Sequence, residues 1–387
     1  MEKVTEQVIN VGVNDRDITL FESQYHLEKG MAYNSYVILD EKTVVMDTVD
    51  PHVTDAWLVN LEEALAGRTV DYLVVQHMEP DHSGSIMALV QKFPEMKIVG
   101  NVQTFNMMKQ FFDMDGLAEK QIVVKEGDTL SIGTHTLQFF MAPMVHWPEV
   151  MVTYEASEKL VFSADGFGKF GTRDADEDWT CEARRYYFNI CGKYGMQVQK
   201  LLQKLSGLGI ETICPLHGPV LTENLGYYIG KYDIWSRYEP EDRGIFIAYA
   251  SIHGNTALAA RRLKELLEEK GAGKVAITDL CREDLHEAVE DAFRYDTLVL
   301  AAASYDGGVF PAMETFLQHL KAKNFQKRHV AVVENGSWAP TAARSMKALL
   351  EGMKELSMIE PEVTIRSALN NESEAQLEKL AEALVCR

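Results

Sequence analysis

The sequence predicts two domains in tandem. The first is an α+β domain with two β-sheets sandwiched between helices; the second is an α/β domain built on a doubly wound parallel sheet. Three observations lead there. The chain has 387 residues, which favours two hydrophobic cores over one. Its first part runs through many strand-like stretches before strands and helices begin to alternate. From Gly244 onward the alternation is regular.

Short apolar stretches at 4–11, 18–22, 33–39 and 43–47 read as strands, separated by Gly and charged turns. A helix is predicted over 55–66. The run VDYLVVQ at 70–76 is apolar and β-branched, the pattern of a buried strand. A helix at 86–93, a strand at 97–100 and a helix at 103–112 come next. Strands at 121–125, 128–132, 135–141, 150–155 and 159–163 follow. Residues 176–206 are mostly helical in pattern, and a strand at 210–214 and a helix at 222–237 close this half. The polar segment YEPEDR at 238–243 contains a Pro and marks the boundary, giving domains 1–243 and 244–387. In the second domain, strands at 244–250, 274–279, 296–302, 328–334 and 359–365 alternate with helices at 255–270, 284–293, 311–322, 340–355 and 372–385. No internal repeat or low-complexity segment interrupts this order.

Composition narrows the function. A hydrophobic fraction of 46% supports a sizeable core in each half. The formal net charge of −20 argues against nucleic-acid or anionic-membrane binding, both of which want basic patches. The five cysteines, Cys181, Cys191, Cys214, Cys281 and Cys386, are odd in number and include no C-x-x-C pair. That disfavours a disulfide framework, a zinc knuckle or an added rubredoxin-type iron site. The N-terminus lacks a basic start and apolar run, and no stretch of about 18 apolar residues occurs. A cytoplasmic protein is expected.

The chemistry starts at His77-Met78-Glu79-Pro80-Asp81-His82. Four metal-binding side chains, His77, Glu79, Asp81 and His82, fall within six positions, on the loop between strand 70–76 and the next helix. Three further candidates, His146, Asp165 and His217, each stand just beyond a predicted strand. Seven ligands exceed what one transition-metal ion takes, and suit two ions with one carboxylate bridging. The other seven histidines, at 26, 52, 135, 253, 286, 319 and 329, lack this setting and are read as non-ligands. His26 and Trp147 are candidate pocket-lining residues.

A strand followed by H-x-[HE]-x-D-H, with a later His, Asp and His, resembles the metallo-β-lactamase fold. Hydrolases of that superfamily normally carry His at the third motif position, with zinc. Here Glu79 stands there, and a carboxylate shifts preference from zinc toward iron. Joined to the second domain, this variant resembles the flavodiiron protein family over nearly the whole chain. Tyr33-Asn34-Ser35-Tyr36, His146-Trp147-Pro148, Asp165-x-Phe167-Gly168 and His217-Gly218-Pro219 carry the same likeness. The resemblance implies a metallo-β-lactamase-like αββα sandwich followed by a flavodoxin-like doubly wound parallel sheet. It implies a non-haem diiron site with His77, Glu79 and His146 on the first iron, Asp81, His82 and His217 on the second, and Asp165 bridging. The counterpart of His82 is not bound in every member.

The flavin reading rests on three loops at strand ends. Strand 244–250 runs into Ser251-Ile252-His253-Gly254-Asn255-Thr256 and a helix. Hydroxyls, a Gly allowing close backbone approach and N–H groups at a helix start form an anion nest, with the spacing of a flavodoxin phosphate loop for FMN. There is no Walker lysine. The loops with Ser304, Tyr305, Asp306 and Gly307, and with Asn335, Gly336, Ser337 and Trp338, stand on the same carboxyl edge. Tyr305 and Trp338 could flank an isoalloxazine ring. The Ser304 loop departs from the common flavodoxin form, in which Pro-Thr follows the Ser.

The resemblance implies an oxidoreductase that passes electrons from FMN to the diiron site, reducing O2 to water, NO to N2O, or both, in an anaerobic or microaerobic cell. No catalytic residue beyond the metal ligands is required. It also implies a head-to-tail homodimer or dimer of dimers, and a separate electron donor such as rubredoxin. Two other classes compete. A zinc hydrolase with an accessory flavodoxin-like domain is disfavoured by Glu79 and the flavin loops. A plain electron-transfer flavoprotein is disfavoured by the complete ligand set.

Overall fold

The central strands of the first half bury every residue: Thr43–Met46, Met151–Glu155 and Leu160–Phe162 show no polar-out alternation. Strands covered on both faces read this way. In the computed structural model, which describes residues 1–113 and 115–386, the reason is a pair of facing sheets. One runs Glu2–Lys3, Val8–Asn10, Tyr36–Leu39, Thr43–Met46, Tyr72–Val74, Lys97–Gly100 and Gln121–Val123. The other runs Thr129–Ser131, Thr136–Met141, Met151–Glu155, Leu160–Phe162 and Thr212–Cys214. Their inner faces share one core, with Ile38, Met46, Val74 and Val99 from the first sheet and Leu137, Phe139, Leu160 and Phe162 from the second. The helix Thr54–Leu65 lies against Tyr36–Leu39 and buries Trp57, Leu61 and Leu65. This is the expected αββα sandwich.

Strand direction is what positions a site. Thr43–Met46, Tyr72–Val74 and Lys97–Gly100 are parallel, and so are Leu160–Phe162 and Thr212–Cys214. Their carboxyl ends therefore gather at common edges, where the loops carrying the histidines begin.

The second half is a parallel sheet in the order Val275–Asp279, Asp242–Ala250, Tyr295–Tyr305, Gln326–Asn335, ending in Lys354–Met358 and Val363–Ile365. Alternate residues of its strands (Ile245, Ile247, Val299, Ala301, Ala331 and Val333) pack against Leu263, Leu267, Leu377 and Leu380 of the helices Asn255–Glu269 and Asn371–Val385. The strand order is that of a flavodoxin-like doubly wound sheet.

The chain divides into two compact units, Met1–Tyr187 with Met196–Asp233, and Phe188–Gly195 with Ile234–Arg387. The passage between them falls inside the helix Leu225–Ser236, upstream of the polar segment 238–243. Two local expectations are corrected. The helix predicted over 340–355 ends at Leu350, because Gly352 turns the chain with φ 86°. The residues after it form the strand Lys354–Met358, so the strand predicted at 359–365 is reduced to Val363–Ile365. The helical stretch 176–206 is Trp179–Tyr186 and Gly195–Leu205, with a π turn at Tyr187–Cys191 and a 3-10 turn at Gly192–Tyr194 between them.

Candidate functional site

The hexapeptide bends where its sequence allows. Pro80 opens a one-turn helix, Pro80–Ser83, where a missing N–H costs nothing, and this turn carries Asp81 and His82. His77 and Glu79 stay on the loop before it. The loop is held from several sides. The Met78 N–H donates to Glu149 Oε1 at 2.8 Å, the Ser83 hydroxyl to the Met78 carbonyl at 2.8 Å, and the Thr48 hydroxyl to the His82 carbonyl at 2.8 Å. Asp47 accepts from the Gln76 backbone and side-chain amides at 2.7 and 2.9 Å. Asp47, Met144, Ala164 and Phe167, all on loops of this edge, take left-handed backbone conformations that non-Gly residues adopt only when their surroundings impose them.

The seven predicted ligands converge in two groups: His77, Glu79, His146 and Asp165, and Asp81, His82 and His217. Asp165 joins them. Its Oδ2 lies 3.1 Å from His146 Nε2 and 3.4 Å from His77 Nδ1, and its Oδ1 lies 3.2 Å from His82 Nε2. Glu79 Oε2 is 3.0 Å from His146 Nε2, and Asp81 Oδ2 is 3.2 and 3.3 Å from the Nε2 atoms of His82 and His217. His217 Nδ1 donates to the Ala32 carbonyl at 2.8 Å, which turns its Nε2 toward the cluster. The His217 loop is itself fixed by Asn34, whose amide donates to the carbonyls of Pro215 and Gly218, and by the Tyr36 hydroxyl on Pro215.

Electrostatics follow from this crowding. Burial pushes His82 down, but the Asp81 and Asp165 carboxylates outweigh it and raise it to about 9. Burial opposes protonation of His146 too, yet its bonds to Asp165 and Glu79 hold it well above the usual imidazole range. Asp165, despite complete burial, lies well below the carboxylate range beside His77 and His82. Such imidazoles share protons with carboxylates that a cation would displace.

Trp147 stands with its ring 5.5 Å from that of His77, and Phe21, Tyr186 and Tyr33 surround the His217 ring at 5.4–6.0 Å. For His26, the contact made is through its carbonyl, which accepts from Arg185.

In the second unit a cleft of about 630 Å³ opens at the carboxyl edge of the sheet. It is lined by Ser251, His253, Asn255, Thr256, Ser304, Tyr305, Asp306, Gly307, Asn335, Gly336, Ser337 and Trp338, all expected from sequence. Gly254 precedes the helix with φ 92°, its N–H donating to Ser251 Oγ at 3.1 Å. The Ser304 hydroxyl accepts the N–H groups of Thr341 and Ala342, and Asn335 bonds the Ser367 backbone, so these two side chains shape the loops. Trp338 is 90% exposed at the cleft.

Two family models match the chain in tandem, the ODP family beta lactamase over residues 31–218 and the flavodoxin domain over 246–364. That pairing, with the two-group metal cluster, decides the assignment. The chain belongs to the flavodiiron protein family. An anaerobic nitric oxide reductase flavorubredoxin of Vibrio vulnificus is 28% identical over 352 residues, covering 88% of this chain and 71% of that protein. The solved structure of rubredoxin oxygen:oxidoreductase from Desulfovibrio gigas superposes with a TM-score of 0.90 at 25% identity, covering 99% of this chain and 97% of that one. The flavodiiron protein of Giardia intestinalis shares the fold, with a TM-score of 0.89 at 23% identity over 100% of this chain and 97% of that one.

The family's cofactors are FMN and a non-haem iron pair, and the residues present fit both. Both ring nitrogens of His77, both carboxylate oxygens of Asp81, His82 Nδ1 and Asp165 Oδ1 are buried without a hydrogen-bond partner. Buried polar atoms are normally paired, so these ask for cations. Each group combines two imidazoles with carboxylate oxygen, a donor set that suits iron. At the cleft, an unpacked indole beside a helix start offers a flat ring and a phosphate their separate partners.

Sequence reasoning missed several supports. Asp47 and Thr48 follow the strand Thr43–Met46 directly, so the same strand-end placement that found His217 could have found them. Ser367, two residues past the strand Val363–Ile365, had the same placement, whereas Glu149 and Thr341 carried no such signal.

Proposed function

We propose that this flavodiiron protein reduces O2 to water, two NO molecules to N2O and water, or both. Residues 1–243 would form the diiron domain and 244–387 the FMN domain. The observation that carries the reading is Asp165, one oxygen facing each half of the metal cluster, with Glu79 where a zinc hydrolase would carry His. His77, Glu79 and His146 would hold one iron, Asp81, His82 and His217 the other, and Asp165 would bridge.

When bound, the iron pair supplies open coordination positions for a small oxidising molecule, and FMN supplies electrons singly. The chain's own residues do the rest. Asp165 and Glu79 counter the cations' charge. The Ala32 carbonyl and the Asn34 clamp keep His217 aimed at the cluster. The rings of Trp147, Phe21, Tyr33 and Tyr186 border the cluster and limit water near it. Ser251, Gly254, Asn255 and Thr256 would take the flavin phosphate, and Tyr305 and Trp338 would flank its ring.

The two sites lie in different units, and the family resemblance favours a head-to-tail homodimer or dimer of dimers in which FMN of one subunit serves the irons of the other. The same reading includes a separate donor of the rubredoxin type, in the cytoplasm, in line with the name of the relative rubredoxin-oxygen oxidoreductase from Megalodesulfovibrio gigas. Among the described residues no helix is long and apolar enough to cross a membrane.

The test is anaerobic turnover of purified, iron-loaded protein with NO and with O2 in parallel, driven by a reduced donor. Consumption of at least one gas, with flavin bands in the absorption spectrum, is the expected result. Two zinc and no iron, with esterase activity, would establish the hydrolase instead.

A further inference from the structure

A second concentration of metal-binding side chains lies at the opposite edge of the same sandwich. The strands Thr136–Met141 and Met151–Glu155 are antiparallel, with Leu137 opposite Glu155. One end of this pair leads into the His146 loop; the other places His135 beside Glu155. His135, Glu155 and Glu158 offer ligand atoms that all lie within 4.8 Å of one another. Sequence order hid this, because the group is assembled by a turn and a hairpin rather than by a motif.

The histidine is oriented as metal-binding histidines are. Asp40 Oδ2 lies 2.7 Å from His135 Nδ1, and the same oxygen accepts the His135 N–H at 2.7 Å and the Thr134 hydroxyl at 3.0 Å. Asp40 Oδ1 accepts the Glu41 N–H at 2.7 Å. A carboxylate so supplied with donors stays ionised and keeps the ring proton on Nδ1, leaving the Nε2 lone pair outward. That Nε2 is buried, on a residue 1% exposed, and has no hydrogen-bond partner. Its nearest carboxylate is Glu158 Oε2, at 3.4 Å.

The acids are fixed as well. Glu155 is 0% exposed. Its Oε1 accepts the Ser157 N–H at 2.9 Å and hydroxyl at 2.6 Å, and its Oε2 accepts the Glu158 N–H at 2.7 Å. Glu158 Oε2 accepts the Thr5 hydroxyl at 2.8 Å. Among the described ion pairs, no Lys or Arg pairs with the carboxylates of Asp40, Glu155 or Glu158, and the Arg68 guanidinium meets Asp40 at its backbone carbonyl. Three carboxylates beside one imidazole leave the group at −3 with a neutral ring, and at −2 with a protonated one. Negative charge of that size, buried at Asp40 and Glu155 and half-buried at Glu158, calls for a cation of higher charge than a proton.

We propose that His135, Glu155 and Glu158 bind one further divalent cation of borderline hardness, such as zinc or manganese, with Asp40 as the positioning residue. One imidazole and two carboxylates are the donors such ions take, with water completing the shell. The ion ties the turn after Met151–Glu155 to the hairpin before Thr136–Met141, so its role is structural.

Zinc sulfate is the probe. Holoprotein freed of loosely held metal on a chelating resin is titrated with it by calorimetry, with zinc and iron both counted by elemental analysis. One zinc per chain is expected with the iron content unchanged, together with a rise in Tm. X-ray absorption should give one imidazole among oxygen ligands. Glu158→Gln should weaken zinc binding at least ~10-fold and His135→Gln should abolish it, while iron content and gas turnover stay as in the parent. If His135→Gln does not fold, Glu158→Gln decides alone. No zinc uptake without loss of iron, or equal uptake by parent and Glu158→Gln protein, overturns the site and leaves a protonated His135 paired with Glu158.

Discussion

The metal cluster and the flavin cleft both stand at the carboxyl ends of parallel strands, yet they are finished differently. At the metal cluster, His77, His82, His217, Asp81 and Asp165 are all buried, and loop backbones are tied by Asp47, Thr48, Glu149 and Asn34. At the cleft, Trp338 is almost wholly exposed, and Ser304, Asn335, Ser337 and Thr341 bond from one lining loop to another. The first is a set of charges that cations can balance in place of the protons its imidazoles and carboxylates share. The second is a surface whose shape exists before its ligand arrives. Binding at the two should therefore separate under mutation, and each should respond to its own kind of change.

The largest effect is expected at Asp165, which touches both halves of the cluster. Asp165→Ala should bring iron per chain close to zero and lower NO or O2 reduction by at least ~100-fold, the upper end of what even supporting residues of metal sites cost. FMN content should be unchanged. Iron analysis, flavin absorption and gas turnover on one preparation check this. Loss of flavin together with iron would show that the two sites do not assemble independently.

The sequence made the metal cluster legible and its surroundings much less so, for a physical reason. Ligands must be His, Asp or Glu, and four of them fall on one loop, with the other three just past strand ends. Apolar, β-branched runs located those strands, because strands buried on both faces leave a local signature. Most supporting contacts, those of Asp47 and Thr48 at a strand end aside, leave none. Glu149 meets Met78 across 71 positions, and Asn34 meets Pro215 across 181. His135 looked like any other histidine because Asp40 and Glu158 are remote from it in sequence. Local misses had local causes: Gly352 ended a helix whose apolar pattern ran on, and the strand Lys354–Met358 is too polar and exposed to announce itself.

A second, smaller change sharpens the contrast from the cleft's side. Trp338→Ala removes a ring that packs on nothing large within the chain, so stability should not suffer. Aromatic stacking is worth about 0.5–1.5 kcal/mol, so FMN should bind up to ~10-fold more weakly. Iron should stay at the parent level. Fluorescence titration of flavin-free protein with FMN measures the first, and elemental analysis the second. An unchanged FMN affinity would remove Trp338 from the site.

The smallest effect separates the units by what acid does to them. In the second compact unit, just ahead of the boundary proposed at 244, Asp242 accepts from Lys274 Nζ at 2.6 Å and Arg294 Nε at 2.9 Å. Partial burial raises its carboxyl, but these two bonds outweigh it and hold the group below its usual range. A folded-state pKa below the unfolded value of 3.8 means that the pair stabilises the fold above that pH, and that this contribution is lost as pH falls through the folded-state value. The pair is solvent-screened, so its worth is only ~0.2–1 kcal/mol. Asp242→Asn should thus lower stability by that amount in urea at neutral pH, and the variant and parent curves should converge in strong acid. The metal cluster has no counterpart to this behaviour, because there acid releases the cations themselves; iron loss on acidification should be the same in parent and Asp242→Asn protein. A variant that lost iron earlier than the parent would show that the surface pair reaches the metal site after all.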